Sequence, residues 1–292
     1  MSIPALVNPA AGNAKEATAA LTAAGFDVRE TAPERIAEVV KSLLAGGARR
    51  IVVAGGDGTI GTAAAILAGT PCELAVIPGG TLNHFAKDHG IPESLEEAVQ
   101  LAASGVARPA DVATVGGRTF LNTSTVGAYV SMVRHREAME PRLGYRLATI
   151  VAAIRAFFTM RPFDLQVEVE GTVRHYRTPL LFVGVGEREL RVPILGGRVP
   201  DGQRALHLIV PRGRGRRAML SLALDALARG TEHVAAGPEL DAWLVDRCTV
   251  VLRRRGPVGV DGEIVRLDTP LEFQLLPGAL SLVTGQSPGT SV

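Results

Sequence analysis

Through the first third of the chain, short apolar runs alternate with longer stretches whose apolar residues recur every three or four positions. Ile3–Val7, Phe26–Glu30, Ile51–Ala54 and Leu74–Ile77 read as strands. Ala14–Ala24, Ile36–Leu44 and Ile60–Leu67 read as helices, and another helix opens near Thr81. Strands that alternate with helices predict a parallel, doubly wound α/β sheet covered on both faces. From about Phe120 the pattern changes. Leu165–Glu170 and Val173–Arg177 predict paired strands about Gly171. Leu180–Val185, Ala205–Val210, Thr249–Leu252, Val258–Val260 and Leu271–Leu275 continue the β pattern. Helical interludes are expected at Leu143–Met160 and Arg217–Arg229. The reading is an α/β domain over residues 1–120 and a β-rich, sandwich-like domain over 121–292, with room for the last residues to pack back on the first.

Composition narrows the function classes. The 292 residues are 47% apolar, which argues for a folded chain, and the formal charge of +2 is too small by itself to argue for nucleic acid as a partner. The two cysteines, Cys72 and Cys248, sit in apolar surroundings and read as reduced core residues of a cytosolic protein. Met1–Val7 is too short for a signal peptide, and the best candidate span, Leu147–Met160, is short and interrupted by Arg155. The chain is therefore expected not to cross a membrane.

Glycine, with 33 residues, clusters after apolar runs. Ile51-Val52-Val53-Ala54 runs into Gly55-Gly56-Asp57-Gly58-Thr59 and then into a helix. Such glycines let a backbone approach a phosphate closely, and the helix amino end offers free N–H groups. Thr59 is placed to cap that helix or to meet a phosphate oxygen. The loop lacks the Gly-Lys-Ser/Thr of a Walker A motif and the spacing of a dinucleotide fingerprint. Asp57 is anomalous, because a carboxylate beside a polyanion repels it unless a cation intervenes; Mg²⁺ held through water would remove the conflict. Asn8-Pro9-Ala10-Ala11-Gly12 and Pro78-Gly79-Gly80-Thr81-Leu82-Asn83 also follow strands and open helices. In parallel sheets such loops converge at the carboxyl ends of the strands.

With these three loops the chain resembles the diacylglycerol kinase catalytic-domain family, which includes sphingosine kinases and a bacterial branch of soluble lipid kinases. Asn8–Gly12, Gly55–Thr59 and Pro78–Asn83 match the family's three loops. Asp261-Gly262-Glu263 matches a later Asp-Gly-Glu turn, and Thr269–Phe273 a Thr-Pro-Leu-x-Phe strand. The resemblance implies a nucleotide domain related to phosphofructokinase and NAD kinase, ATP and Mg²⁺ as cofactors, and transfer of a phosphoryl group to a lipid hydroxyl. ATP would lie between the domains. Asn8, Gly12, Gly55, Gly56, Asp57, Gly58, Thr59, Gly80, Thr81 and Asn83 would surround the nucleotide. Thr31 falls where the family places a further contact, with a helix cap as the competing reading. Glu263 is the candidate base and Asp261 its assistant or orienter, since phosphoryl transfer needs an acceptor for the attacking hydroxyl's proton. Asp57 is the alternative base, as in the sphingosine-kinase branch.

Some positions depart from the family. Gly61-Thr62 stands where many relatives carry Asn-Glu, which removes a polar anchor. His84 replaces a common Asp, and Lys87 an Arg, keeping the charge without the bidentate fork. Asp201-Gly202 resembles a loop that holds a structural Mg²⁺ in some members, but Leu206 or His207 occupies its later acidic position, so Asp201 also reads as a turn residue. The histidines show no metal-ligand spacing. Arg212, Arg214, Arg216 and Arg217, and separately Arg253–Arg255, form basic clusters that would favour anionic membranes. The expected setting is thus cytoplasmic with transient docking at the inner membrane surface, a lipid partner, no nucleic acid, and a possible homodimer. A NAD-kinase-like enzyme and a non-catalytic nucleotide-binding regulator are the alternatives; a dinucleotide-dependent oxidoreductase lacks its fingerprint.

Overall fold

A strand with apolar side chains on both faces needs cover on both, and three of the first four strands meet that condition. β1 (Pro4–Val7), β3 (Arg50–Gly55) and β4 (Glu73–Pro78) bury every residue after their first, whereas β2 (Asp27–Glu30) lies half open at the edge. They pair in parallel in the order β2-β1-β3-β4. The connections are α1 (Ala14–Ala23), α2 (Pro33–Ala45) and α3 (Asp57–Leu67). α1 inserts Ala17 and Leu21, α2 Ile36 and Val40, and α3 Ile60, Ala63, Ala64 and Leu67. α2 starts earlier than its apolar period suggests, because Pro33 at its first turn needs no backbone donor.

The computed structural model describes residues 2–189, 197–212 and 240–285. The helix expected at Arg217–Arg229 lies outside them. The chain divides into two compact units, Met1–Val112 with Leu276–Val292, and Ala113–Leu275. The chain passes between them twice, each time within a strand: β5 (Val106–Val115) and β16 (Leu271–Thr284).

In the first unit, α4 (His84–Asp88) and α5 (Leu95–Ser104) follow β4. The later part of β16 adds a parallel strand beside β4, with Ser281 opposite Glu73 and Leu282 opposite Leu74. The strand expected at Leu271–Leu275 runs on through Pro277-Gly278 to Thr284, where Gly278 takes φ 61° and donates its N–H to the buried Asp111 at 2.8 Å. Val283 then enters a core shared with Val52, Ala75 and Leu21.

The second unit contains β6 (Arg118–Phe120), β7 (Thr123–Gly127), α6 (Ala128–Thr159), β8 (Phe163–Val169), β9 (Thr172–Thr178), β10 (Leu180–Val185), β11 (Leu206–Pro211), β12 (Leu240–Val245), β13 (Arg247–Leu252), β14 (Pro257–Val260) and β15 (Glu263–Arg266). One antiparallel sheet runs β12-β11-β10-β7-β14-β15. The other set joins β9, β8, β13, the start of β16, β5 and β6. Alternate residues of both face one core, in which Val167 and Val250 meet Val183 and Leu208, and Phe120 lies edge-on to Phe273 at 6.3 Å. Glu170 and Gly171, both at positive φ, form the two-residue turn joining β8 to β9. α6 is kinked at Gly144 (φ 70°): the part beyond the kink is the helix expected at Leu143–Met160, and the part from Ala128 to the kink is a helix the sequence reading did not include. Its charged first half is anchored by only Val130 and Val133, too sparse a pattern to show an apolar face. Among the described residues no helix is long and apolar enough to cross a membrane.

Candidate functional site

In the first unit, the strand order reverses direction between β1 and β3, so the chain leaves their carboxyl ends toward opposite sides and opens a crevice there. The loop after β1, the start of α3 after β3, and the loop after β4 meet at this point. Gly12 donates its N–H to the Gly79 carbonyl at 3.0 Å, and Gly79 donates to the Gly55 carbonyl at 2.9 Å. Asn8 Nδ2 donates to Thr59 Oγ1 at 2.9 Å, while Asn8 Oδ1 accepts from Ala10 N–H at 3.0 Å. Asn13 Nδ2 reaches the Pro78 carbonyl at 2.9 Å. These bonds join three segments that are distant in sequence into one rigid floor.

The glycines are needed for close approach. A Cβ on Gly80 would stand 2.7 Å from Gly56 Cα, and one on Gly55 would stand 2.8 Å from Thr59 Cβ. Backbone is thereby left bare where side chains would otherwise fill the crevice. The first turn of α3 has N–H groups without intrahelical partners, and the helix dipole adds partial positive charge. This cradle suits the phosphates of a nucleotide.

Asp57 lies in that first turn. Its Oδ2 accepts from His84 N–H at 3.2 Å and its Oδ1 from Phe85 N–H at 3.1 Å, so the carboxylate caps α4. Asn83, before α4, adopts the left-handed conformation (φ 51°) that Asn tolerates well. Its side chain exchanges two hydrogen bonds with Gly80, at 2.8 Å and 2.9 Å. The left-handed residue delays the helix from Thr81 to His84, and Thr81 itself stands exposed. Thr59 does not cap α3: Gly56 is the cap residue, and the buried Thr59 hydroxyl meets Asn8 instead. Thr31 is not a cap either. Ala32 holds that position, while Thr31 is buried, its N–H bonded to Val7 O at 2.8 Å and its hydroxyl to Arg29 O at 3.1 Å. Gly61 faces open space, and Thr62 returns its hydroxyl to the Gly58 carbonyl at 2.9 Å.

The second unit holds Asp261 and Glu263. Asp261 is left-handed (φ 47°) and its carboxylate accepts from three successive backbone N–H groups: Leu121 at 2.7 Å, Asn122 at 2.8 Å and Thr123 at 2.9 Å. It clamps the entry to β7. Glu263, two residues on, is exposed, with no hydrogen bond or ion pair among the described residues, so its carboxylate is open to a proton. Near the clamp, Asn122 Oδ1, Ser124 Oγ and Thr125 Oγ1 are buried without a partner among the described atoms.

The other candidates have structural surroundings. Asp201 (φ 56°) is exposed in a turn that Gly202 closes by donating to Val199 O at 3.0 Å. Buried His207 accepts Arg188 N–H on Nδ1 at 3.0 Å, and burial pulls its pKa below the usual value. Among the described residues no three His, Cys, Asp or Glu side chains converge as a metal site. A Mg²⁺ ion here would therefore take most of its ligands from phosphates and water, as this ion commonly does. Burial pushes the Cys72 thiol up to about 11 and that of Cys248 to about 12, so neither is a ready nucleophile. Sequence reading passed over Asn13 and the His84 and Phe85 N–H groups; the αL-prone Asn83 before α4 was the available signal for the latter.

Residues 3–115 match the family described as diacylglycerol kinase catalytic domain. A protein of Pseudomonas putida named "Probable lipid kinase YegS-like" is 38% identical over 170 residues, 55% of each chain. One of the same name from Klebsiella pneumoniae is 28% identical over 241 residues, covering 79% of this chain and 76% of its own. Several such matches, including one from Cronobacter sakazakii at 33% identity, span about half the length of the curated relatives (48%). The crystal structure of a diacylglycerol kinase from Bacillus anthracis str. Sterne shares the fold, at TM-score 0.70 and 21% identity over 98% of this chain and 97% of that one. A further structure from the same organism superposes at TM-score 0.76 with 23% identity over 98% and 97%.

Proposed function

We propose that the protein transfers the γ-phosphoryl group of ATP to a lipid hydroxyl, a reading supported by the match of residues 3–115 to the family described as diacylglycerol kinase catalytic domain. The observation that carries the reading is the junction at the ends of β1, β3 and β4. Three loops are hydrogen-bonded into a floor there, glycines keep it bare, and a helix amino end faces the opening. Phosphoryl transfer asks mainly for positioning and charge neutralisation, which such a floor supplies. Bound ATP brings the phosphoryl group, and Mg²⁺ neutralises its charge.

The residues of this chain divide the work. Gly55, Gly56, Gly58 and Gly80 admit the phosphates, Asn8 and Asn83 hold the loops, and Asp57 fixes α4 and would hold a Mg²⁺ ion through water. Glu263 accepts the proton of the attacking hydroxyl, and Asp261 positions it by clamping the turn. The buried oxygens of Asn122, Ser124 and Thr125 offer hydrogen bonds to polar groups of the acceptor.

Purified protein incubated with γ-labelled ATP, Mg²⁺ and a total lipid extract should yield a labelled, solvent-extractable product, and chelation of Mg²⁺ should stop it. Label passing to NAD instead would make the protein an NAD-kinase-like enzyme. The non-catalytic reading is favoured by one observation: at Gly61-Thr62 no side chain anchors the site, since Thr62 bonds its own helix. ATP binding with no labelled acceptor of either kind would establish that reading and sink the kinase.

A further inference from the structure

The second half of α6 presents its large side chains outward. Beyond the Gly144 kink it buries Ala148, Ala152 and Ala156, at 4% exposure or less, while Leu147, Ile150, Ile154 and Phe158 are 50–62% exposed. At 100° per residue these four fall within an arc of about 80°, opposite the alanines. Single exposed apolar residues are ordinary on a protein surface; a continuous row on one helix face marks an interaction site.

The row leads into a basic cavity. Thr159 and Met160, at the end of α6, line a cavity of about 620 Å³ whose charged walls are Arg161, Arg177, Arg253, Arg254, Arg255 and a single acid, Asp164. Asp164 is shared by Arg177 at 3.3 Å and Arg253 at 3.4 Å. Arg255 pairs with Asp268 at 3.1 Å, both 79% exposed, a pairing that water largely screens. Arg161 and Arg254 have no ion pair or hydrogen bond among the described residues. Positive charge is left in excess beside an exposed aliphatic face.

We propose that the α6 row and this arginine cavity together dock the protein on an anionic lipid bilayer. The row would enter the boundary between head groups and acyl chains, and the arginines would meet lipid phosphates. A second copy is the poorer occupant, since it would bring the same positive excess to the contact, whereas anionic head groups complement it. The other basic cluster is less free: Arg212 is bound to Asp241 by two hydrogen bonds, Nε–Oδ2 at 2.9 Å among them, and Arg214, Arg216 and Arg217 lie outside the described residues. The inference rests on the proposed function only in that the acceptor is a lipid.

The test is co-sedimentation of the full chain, without nucleotide, with vesicles of equal parts phosphatidylglycerol and phosphatidylcholine. Ile150→Ser/Ile154→Ser/Phe158→Ser should lower the partition coefficient about tenfold or more. Arg161→Gln/Arg254→Gln should lower it roughly 30-fold, about fivefold for each charge, and flatten its salt dependence. Both variants change exposed residues and should keep the native melting temperature. Phosphorylation of a water-soluble short-chain lipid should stay at the native rate while phosphorylation in vesicles falls. Native-like vesicle binding by either variant overturns the proposal. So does a native dimer that the aliphatic variant converts to monomer without loss of binding, or release by inorganic phosphate beyond that by chloride at equal ionic strength. Because nucleotide is absent, a chain that phosphorylates nothing can still dock, which separates failure of the kinase reading from failure of this one.

Discussion

Replacing Asp261 by Asn separates a clamp from a catalytic acid. Asn keeps the size of the side chain and tolerates the left-handed backbone (φ 47°), so the change isolates the second oxygen and the charge. The carboxylate takes N–H groups from Leu121, Asn122 and Thr123 at 2.7–2.9 Å. The substituted amide could retain the two bonds on Oδ1 but would turn its own NH₂ toward Leu121 N–H. A partly buried N–H left without an acceptor costs about 1–3 kcal/mol, and the two retained bonds lose roughly 0.5–1 kcal/mol each with the charge. The total is about 2–5 kcal/mol, which for a unit of this size lowers Tm by roughly 4–20 °C. The assay is thermal unfolding followed by Trp243, the one tryptophan, which sits in β12 of the second unit. Glu263→Gln, an exposed change, serves as the control and should melt as the native protein does. A D261N protein that melts within about 1 °C of native yet loses lipid phosphorylation would refute the clamp and give Asp261 a chemical role.

Four further outcomes are expected. Glu263→Gln should keep ATP affinity by calorimetry and lose about 10²- to 10⁴-fold in phosphorylation rate; near-native rates would move the base to Asp57, tested in turn with Asp57→Asn. Gly80→Ala, whose Cβ meets Gly56 Cα at 2.7 Å, should destabilise by about 1–3 kcal/mol and weaken ATP binding. Gly61→Ala, facing open space within α3, should be neutral or stabilising by about 0.5–1 kcal/mol; equal effects in the two melts would remove the close-approach argument. His207 has its pKa depressed by burial from 6.5, so at falling pH the unfolded chain takes up the proton first. Stability from this group is therefore complete above about pH 6.5 and declines below it until the folded-state pKa is reached, and a His207→Gln melt series should lack that slope.

The alternation of strand and helix in the first unit was legible because each element is written in contiguous residues. The same holds for the loops at Asn8, Gly55 and Pro78: glycine among turn-forming residues after an apolar strand states a backbone requirement locally. The Gly171 hairpin could be read for that reason too. α6 and β16 could be read only in part, since the charged start of the helix hides two buried valines, and β16 continues past Leu275 through Gly278, whose N–H finds Asp111 far away in the sequence.

What tertiary structure decided are the partners. Asp57 looks like an anion in conflict with a phosphate site until His84 and Phe85, 27 and 28 residues away, bring it their N–H groups. Asp261 reads in the sequence only as a neighbour of Glu263, and folding brings a segment about 140 residues distant to bond both its oxygens. The apolar positions of Leu147–Phe158 announce a helix, but whether the alanines or the large side chains turn inward depends on the surface beneath. Backbone conformation and apolar period are local properties of a few adjacent residues and are carried by the sequence itself. The donors that reach a carboxylate and the face that a helix buries are settled by contacts between segments far apart in the chain, and only folding brings those together.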